Sequence, residues 1–149
     1  MTTLATCTST ATHTLRNARQ CPVFRISAEE SNKFVLLASP QQDAVGFVQV
    51  IEIFDKNGAT PPNQHRAADE LFVVLSGQGV AVTDAGELAL KPGLTLLVRP
   101  GCMHAVRNTG EGRLYCLTTM VPNEDFAELI TRGVADALDA QDLEALGWT

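Results

Sequence analysis

A chain of 149 residues with 45% hydrophobic and 19% charged residues has the length of one domain and the composition of a globular protein. With 11 basic residues against 17 acidic ones and no basic run, the net charge of −6 excludes the cationic footprint that nucleic-acid binding requires. No stretch approaches the roughly 20 apolar residues of a membrane span, and the N-terminus lacks the charged and apolar regions of a signal peptide, so a cytoplasmic protein with neither nucleic-acid nor membrane partners is expected.

Residues 1–16 show no hydrophobic periodicity and are expected to form a flexible tail or an arm that pairs elsewhere, with His13 in it. From 17 to 121 short apolar runs alternate with turn signals, the pattern of an all-β sandwich or barrel. Phe34 to Leu37 reads as one strand and Val45 to Phe54 as the next, closed by Asp55-Lys56-Asn57-Gly58. Alternation places Phe47, Ile51 and Ile53 on one face with Gln49, and Val48, Val50 and Phe54 on the other with Glu52. Two apolar faces predict cover on both sides, one from the barrel interior and one from a second element or a partner subunit.

Leu71 to Leu75, Val80 to Val82, Glu87 to Leu90, Leu94 to Val98, His104 to Arg107 and Arg113 to Met120 read as further strands, divided by Gly- and Pro-containing turns. The connections are too short for helical crossovers, so the sheet should be mostly antiparallel and closed as a jelly roll or small barrel. Over 122–149 the pattern turns helical. Asn123 is a candidate N-cap, Glu124 and Asp125 sit where a helix dipole favours acids, and Phe126, Leu129 and Ile130 form an apolar stripe. A second short helix is predicted from Asp139, with Leu143 and Leu146 inward, docked on the barrel or on a dimer partner. Cys7, Cys21, Cys102 and Cys116 show no CxxC spacing and are expected as free thiols.

Two segments carry the chemistry. The first runs Pro61-Pro62-Asn63-Gln64-His65-Arg66-Ala67-Ala68-Asp69-Glu70 and on to Gly77. The second runs from Gly93 through Arg99-Pro100-Gly101-Cys102-Met103-His104 to Asn108. On a strand Asn63 and His65 share a face, and Glu70 opens the next strand across a short turn. His104 must arrive from elsewhere in a closed or folded sheet. Here the chain resembles the cupin superfamily, in particular its small, single-domain, RmlC-like members of the cupin 2 type. His65, Glu70 and Gly77 fall on the second histidine, the glutamate and the closing glycine of the first cupin motif. Gly93, Gly101, His104 and Asn108 fall in register on the second motif. The sequence departs from the pattern at Asn63, which stands where the first metal-binding histidine would be, and in a minor way at Asn57 and Arg99.

The resemblance implies an antiparallel cupin β-barrel with one or two short C-terminal helices, paired as a homodimer, with a divalent metal on His65, Glu70 and His104. Two imidazoles and one carboxylate form the facial set of non-haem Fe(II) oxygenases, so Fe(II) is the first expectation, with Mn, Ni, Zn or Co as alternatives. Asn63 would tune a fourth position or bind through its amide oxygen. The expected activity is that of a dioxygenase, or of an isomerase or lyase using the metal as a Lewis acid, on a small organic molecule. The alternative is a non-catalytic binding or sensing module. A metal-free sugar epimerase would need an acidic tyrosine inside, and Tyr115 is the only tyrosine. By alternation, either Tyr115 or Cys116 faces the cavity. The sequence identifies no general base.

Overall fold

The computed structural model describes residues 7–10 and 12–149. Of the segment expected to be a loose tail, residues 1–6 and 11 lie outside the described residues. Within the rest of it, β1 (Cys7–Ser9) and β2 (Thr14–Arg16) pair antiparallel, Thr8 opposite Leu15. After a 3-10 turn at Ala18–Gln20 come β3 (Val23–Arg25), β4 (Asn32–Ala38), the short helix α1 (Pro40–Asp43) and β5 (Val48–Phe54). The next six strands are β6 (Asp69–Ser76), β7 (Gly79–Thr83), β8 (Gly86–Leu90), β9 (Thr95–Val98), β10 (His104–Asn108) and β11 (Leu114–Val121). The chain ends with α2 (Phe126–Thr131), β12 (Val134–Asp136) and α3 (Ala140–Ala145).

A seven-stranded sheet in the order β12-β3-β4-β5-β11-β6-β9 faces a three-stranded sheet, β10-β7-β8. Each ladder among the described residues is antiparallel, as the short connections require. The tight return from β6 to β7 depends on Gly77. Its φ is +89°, and a Cβ there would sit 2.4 Å from the Arg113 carbonyl oxygen, so both backbone conformation and space restrict the position to glycine.

Between the sheets, Phe54, Phe72, Val74 and Cys116 of the large sheet pack on Ala81, Leu90 and Val106 of the small one. Toward the other end of the same concave face, Phe34, Leu36, Val48, Val50 and Met120 pack on Ala127 and Ile130 of α2. The convex face is covered too: Val35, Ile51, Ile53 and Tyr115 lie under Leu138, Ala145, Leu146 and Trp148. The predicted double cover of β5 is therefore supplied by this chain's own C-terminal segment. α3 starts where the sequence placed it, with Asp139 accepting from the Asp142 N–H and Asp142 from the Asp139 N–H in a capping box.

Two buried charges fasten that cover. Asp142, with no exposed side-chain surface, sits 2.5 Å from Lys33 Nζ, and its Oδ1 accepts from Arg113 at 2.8 Å and from the Tyr115 hydroxyl at 2.9 Å. Tyr115 thus faces away from the barrel interior and Cys116 faces into it, where burial pushes the Cys116 thiol pKa up. Neither lines the cavity described below. Cys102 and Cys116 form no disulfide. The Cys21 thiol donates to the Asn17 carbonyl at 3.6 Å.

The entry to α2 differs from the sequence expectation. Asp125 occupies the N-cap position, yet Asn123 still serves the first turn, because its Oδ1 accepts from the Ala127 N–H at 2.9 Å. Glu124 and Asp125 both take positive φ, 50° and 64°, which turns the Glu124 side chain away from the helix. β3, β12 and α1, absent from the sequence reading, extend the large sheet at its β4 edge and bridge β4 to β5.

Candidate metal centre

His65 sits on the loop before β6, Glu70 is the second residue of β6, and His104 begins β10. The loop is clipped in place by backbone hydrogen bonds: Asn63 and His104 exchange both of theirs at 2.9 Å, and Gly101 N–H donates to the His65 carbonyl at 2.7 Å. The Glu124 carboxylate accepts from the Ala67 N–H at 2.8 Å and the Arg66 N–H at 3.2 Å, and lies 3.7 Å from His65 Nδ1. The strained backbone at Glu124 therefore has a use, since it aims the carboxylate that fixes the His65 loop.

The two histidines converge. His65 Nε2 and His104 Nε2 each lie 2.8 Å from Glu70 Oε2, and the ring centroids are 5.2 Å apart. One ligand atom from each of the three residues can be chosen so that all lie within 4.8 Å of one another. Ligands about 2.0–2.2 Å from a common ion stand about 3 Å apart when they subtend a right angle and at most about 4.4 Å apart, so the two 2.8 Å separations suit a coordination set, and the wider one needs the imidazoles to close by a few tenths of an ångström. His104 Nδ1 is 3.0 Å from the Cys102 carbonyl; donating there, the neutral ring carries its free lone pair on Nε2, as a metal-binding histidine does. The donor set fits a divalent ion.

Electrostatics favour the ionised carboxylate. Burial pushes Glu70 up, but hydrogen bonds from His104 and His65 and their charges more than offset it, and its pKa lies below the ordinary value. For His104, burial works against the charged form, and the bond to Glu70 with the Cys102 carbonyl reverses it, leaving the pKa raised. Asn63, expected near a fourth position, lines the same cavity, and its amide donates to the Pro61 carbonyl at 3.0 Å. His13 lies exposed on the N-terminal hairpin, hydrogen-bonded near Thr10 and Thr12.

The cavity that these residues open into has a volume of about 480 Å³. Phe34, Phe72, Met120 and Phe126 supply apolar wall, and α2 closes one side. Sequence reasoning missed Glu52, which lines this cavity while only 2% exposed. Burial first, and then the nearby charge of Glu70, push its pKa up to about 8 against the weaker pull of Asn32 and Thr118. Its Oε1 accepts from Asn32 Nδ2 at 3.1 Å. The available signal was a lone carboxylate among Val48, Val50 and Phe54 on one face of β5.

An antiparallel jelly roll with a two-histidine, one-glutamate cluster inside it defines the class of protein. Residues 50–120, just under half of the chain, match the family model of the Cupin domain. The solved structures it resembles share the fold at low identity. A predicted oxalate decarboxylase from Thermotoga maritima aligns at TM-score 0.58 and 18% identity over 61% of this chain and 80% of that one. KdgF from Halomonas sp. aligns at 0.58 and 20% over 67% and 86%, and an oxalate oxidase at 0.56 and 20% over 67% and 55%. No curated protein matches the chain. No helix among the described residues is long and apolar enough to cross a membrane.

Proposed function

We propose that the chain is a metal-dependent cupin enzyme acting on a small organic molecule, with one divalent ion held by His65, Glu70 and His104. Fe(II) is the first candidate for a two-histidine, one-carboxylate set, with Mn, Ni, Zn or Co after it. The observation that carries this reading is the meeting of both Nε2 atoms on one Glu70 oxygen, with His104 oriented from behind by the Cys102 carbonyl. When bound, such an ion supplies either the O₂ chemistry of a dioxygenase or the carbonyl polarisation of an isomerase or lyase. The chain's own contribution is orientation and exclusion of water: Glu124 steadies the His65 loop, and the phenylalanine-lined wall receives the apolar part of a substrate.

Elemental mass spectrometry of the purified protein, beside His65→Ala and His104→Ala, tests the reading. About one ion per chain, lost in both variants, supports it. No uptake after anaerobic loading with each candidate ion overturns it. The non-catalytic binding or sensing module would then take its place, a reading favoured by the commitment of the Asn63 amide to Pro61. A cytoplasmic homodimer completes the proposal. Leu71 and Leu97 are paired across β6 and β9 and exposed on the outer face, and a monomeric mass by light scattering would count against the pairing.

A further inference from the structure

The two histidines of the cluster are oriented from behind by different means. His104 Nδ1 stands 3.0 Å from the Cys102 carbonyl, an acceptor of its own chain segment. His65 has no backbone acceptor at the corresponding nitrogen among the described residues. Its Nε2 faces Glu70 at 2.8 Å, and the group that faces its Nδ1 is the Glu124 carboxylate, with Oε2 at 3.7 Å. That distance is too long for a hydrogen bond and short enough for a charge to act. The two side chains are only 16% and 18% exposed, so water screens the charge incompletely.

The carboxylate is held in place on its other side. Its Oε1 accepts from the Ala67 N–H at 2.8 Å and its Oε2 from the Arg66 N–H at 3.2 Å, and a φ of 50° at Glu124 turns it there. Those two bonds need acceptor oxygens, and an amide could supply one. The negative charge beside the ring does something further. An ionised carboxylate accepts and cannot donate, so it favours an N–H on Nδ1 over a lone pair, and the neutral ring then carries its lone pair on Nε2. Metal-binding histidines are commonly fixed in this way by a carboxylate on the second nitrogen, which also makes them better donors. We propose that Glu124 is a positioning residue of the metal centre: its carboxylate keeps the Nδ1 proton on His65, leaves Nε2 as the donor beside Glu70, and so sets the metal affinity of the site. Glu124 directly precedes the segment whose Phe126, Leu129 and Arg132 line the cavity, so the cavity wall and the His65 ring share one anchor.

This role rests on the reading of His65, Glu70 and His104 as metal ligands. Zn(II) affinity of the full chain, measured by competition against a chelator, tests it in the parent, Glu124→Gln and Glu124→Ala. Glutamine keeps an oxygen for the loop and removes the charge, whereas alanine removes both. Glu124→Gln should bind Zn(II) about 10- to 100-fold more weakly, the usual cost of losing such an outer partner, while its metal-free form melts as the parent does. Nitrogen-15 NMR of the Zn(II)-loaded, histidine-labelled protein supplies a second readout. The His65 Nδ1 proton should move upfield and exchange faster in Glu124→Gln, while that of His104, on the Cys102 carbonyl, stays where it is. Unchanged affinity in Glu124→Gln overturns the proposal, and with a weakened Glu124→Ala it assigns Glu124 to the loop alone. A weakened affinity with both histidine signals displaced alike, or with a lowered melting point of the metal-free variant, overturns it too. A parent that takes up no Zn(II), Fe(II), Mn(II), Ni(II) or Co(II) overturns the metal reading and this role with it, an outcome distinct from a parent that binds metal no better than its Glu124→Gln variant.

Discussion

Asn63 and His104 exchange both backbone hydrogen bonds, N–H to carbonyl at 2.9 Å in each direction, as an isolated bridge outside the main ladders. Residues paired in this way project their side chains to the same side. Position 63 therefore stands beside His104, and an imidazole there would join the other two. Asn63→His is expected to tighten metal binding by about tenfold or more, a gain of at least ~1.4 kcal/mol. Competition against a chelator of known affinity measures this. An unchanged affinity would place the side chain at 63 away from the ion.

Acid should affect the metal-free and metal-loaded proteins in opposite senses. The raised His104 pKa means that its contribution to metal-free stability is fully present below the unfolded value and is lost as pH rises through the folded one. Glu70, lowered, contributes above its unfolded value and loses that contribution as pH falls through its folded value. Metal needs neutral imidazoles, so its added stability grows with pH. At a metal concentration 100 times its dissociation constant the gain is about 2.7 kcal/mol. Melting curves with and without Zn(II) or Mn(II), from pH 5 to 8, should diverge as pH rises. Parallel curves would show that protons and metal do not compete for His104.

How far the site was legible depended on which residues could be placed by pattern. His65, Glu70 and His104 sit at turn-bounded strand ends, where spacing and alternation locate a side chain without knowledge of the rest of the sheet. Glu52 was legible as a lone polar residue on its face, but both faces of β5 are equally apolar, so alternation alone could not say which looks inward. Glu124 was invisible for a different reason. Its role depends on a positive φ and on a contact with residues 66 and 67, nearly sixty positions earlier, and helix-capping rules point it elsewhere. The short strands β3 and β12 escaped because three-residue strands carry too little periodicity to detect.

The buried ion pair under the C-terminal cover should be sensitive to loss of one partner. Lys33 and Asp142 are 3% and 0% exposed in their side chains, and Lys33 Nζ has the Ala137 carbonyl at 3.0 Å as its other partner. Asp142→Ala would leave a lysine charge buried and Arg113 and Tyr115 without their shared acceptor. Breaking such a pair costs about 3–5 kcal/mol. Urea unfolding followed by fluorescence of Trp148, the single tryptophan, should show a lower midpoint. Removing both charges, as Lys33→Met with Asp142→Leu, should recover much of the loss. A double variant no better than Asp142→Ala would mean that the site needs the charges themselves.

The same cover should loosen first in strong acid. Burial works against the Asp139 carboxylate, but hydrogen bonds from Arg113 and from the Asp142 N–H outweigh it, bringing its pKa to about 2. A depressed acid stabilises the fold above its unfolded value of 3.8 and loses that contribution as pH falls toward about 2. Protonation removes both the charge facing Arg113, at 2.7 Å, and the acceptor that caps α3. Trp148 packs against the cluster containing Ile51, Ile53 and Tyr115, so undocking of α3 exposes it to water. Its emission should shift to the red between pH 4 and 2. Asn keeps a capping oxygen but not the charge, so Asp139→Asn should shift the emission already at neutral pH or show a much smaller change across that interval. An identical transition in the variant would assign the acid loosening to other carboxylates.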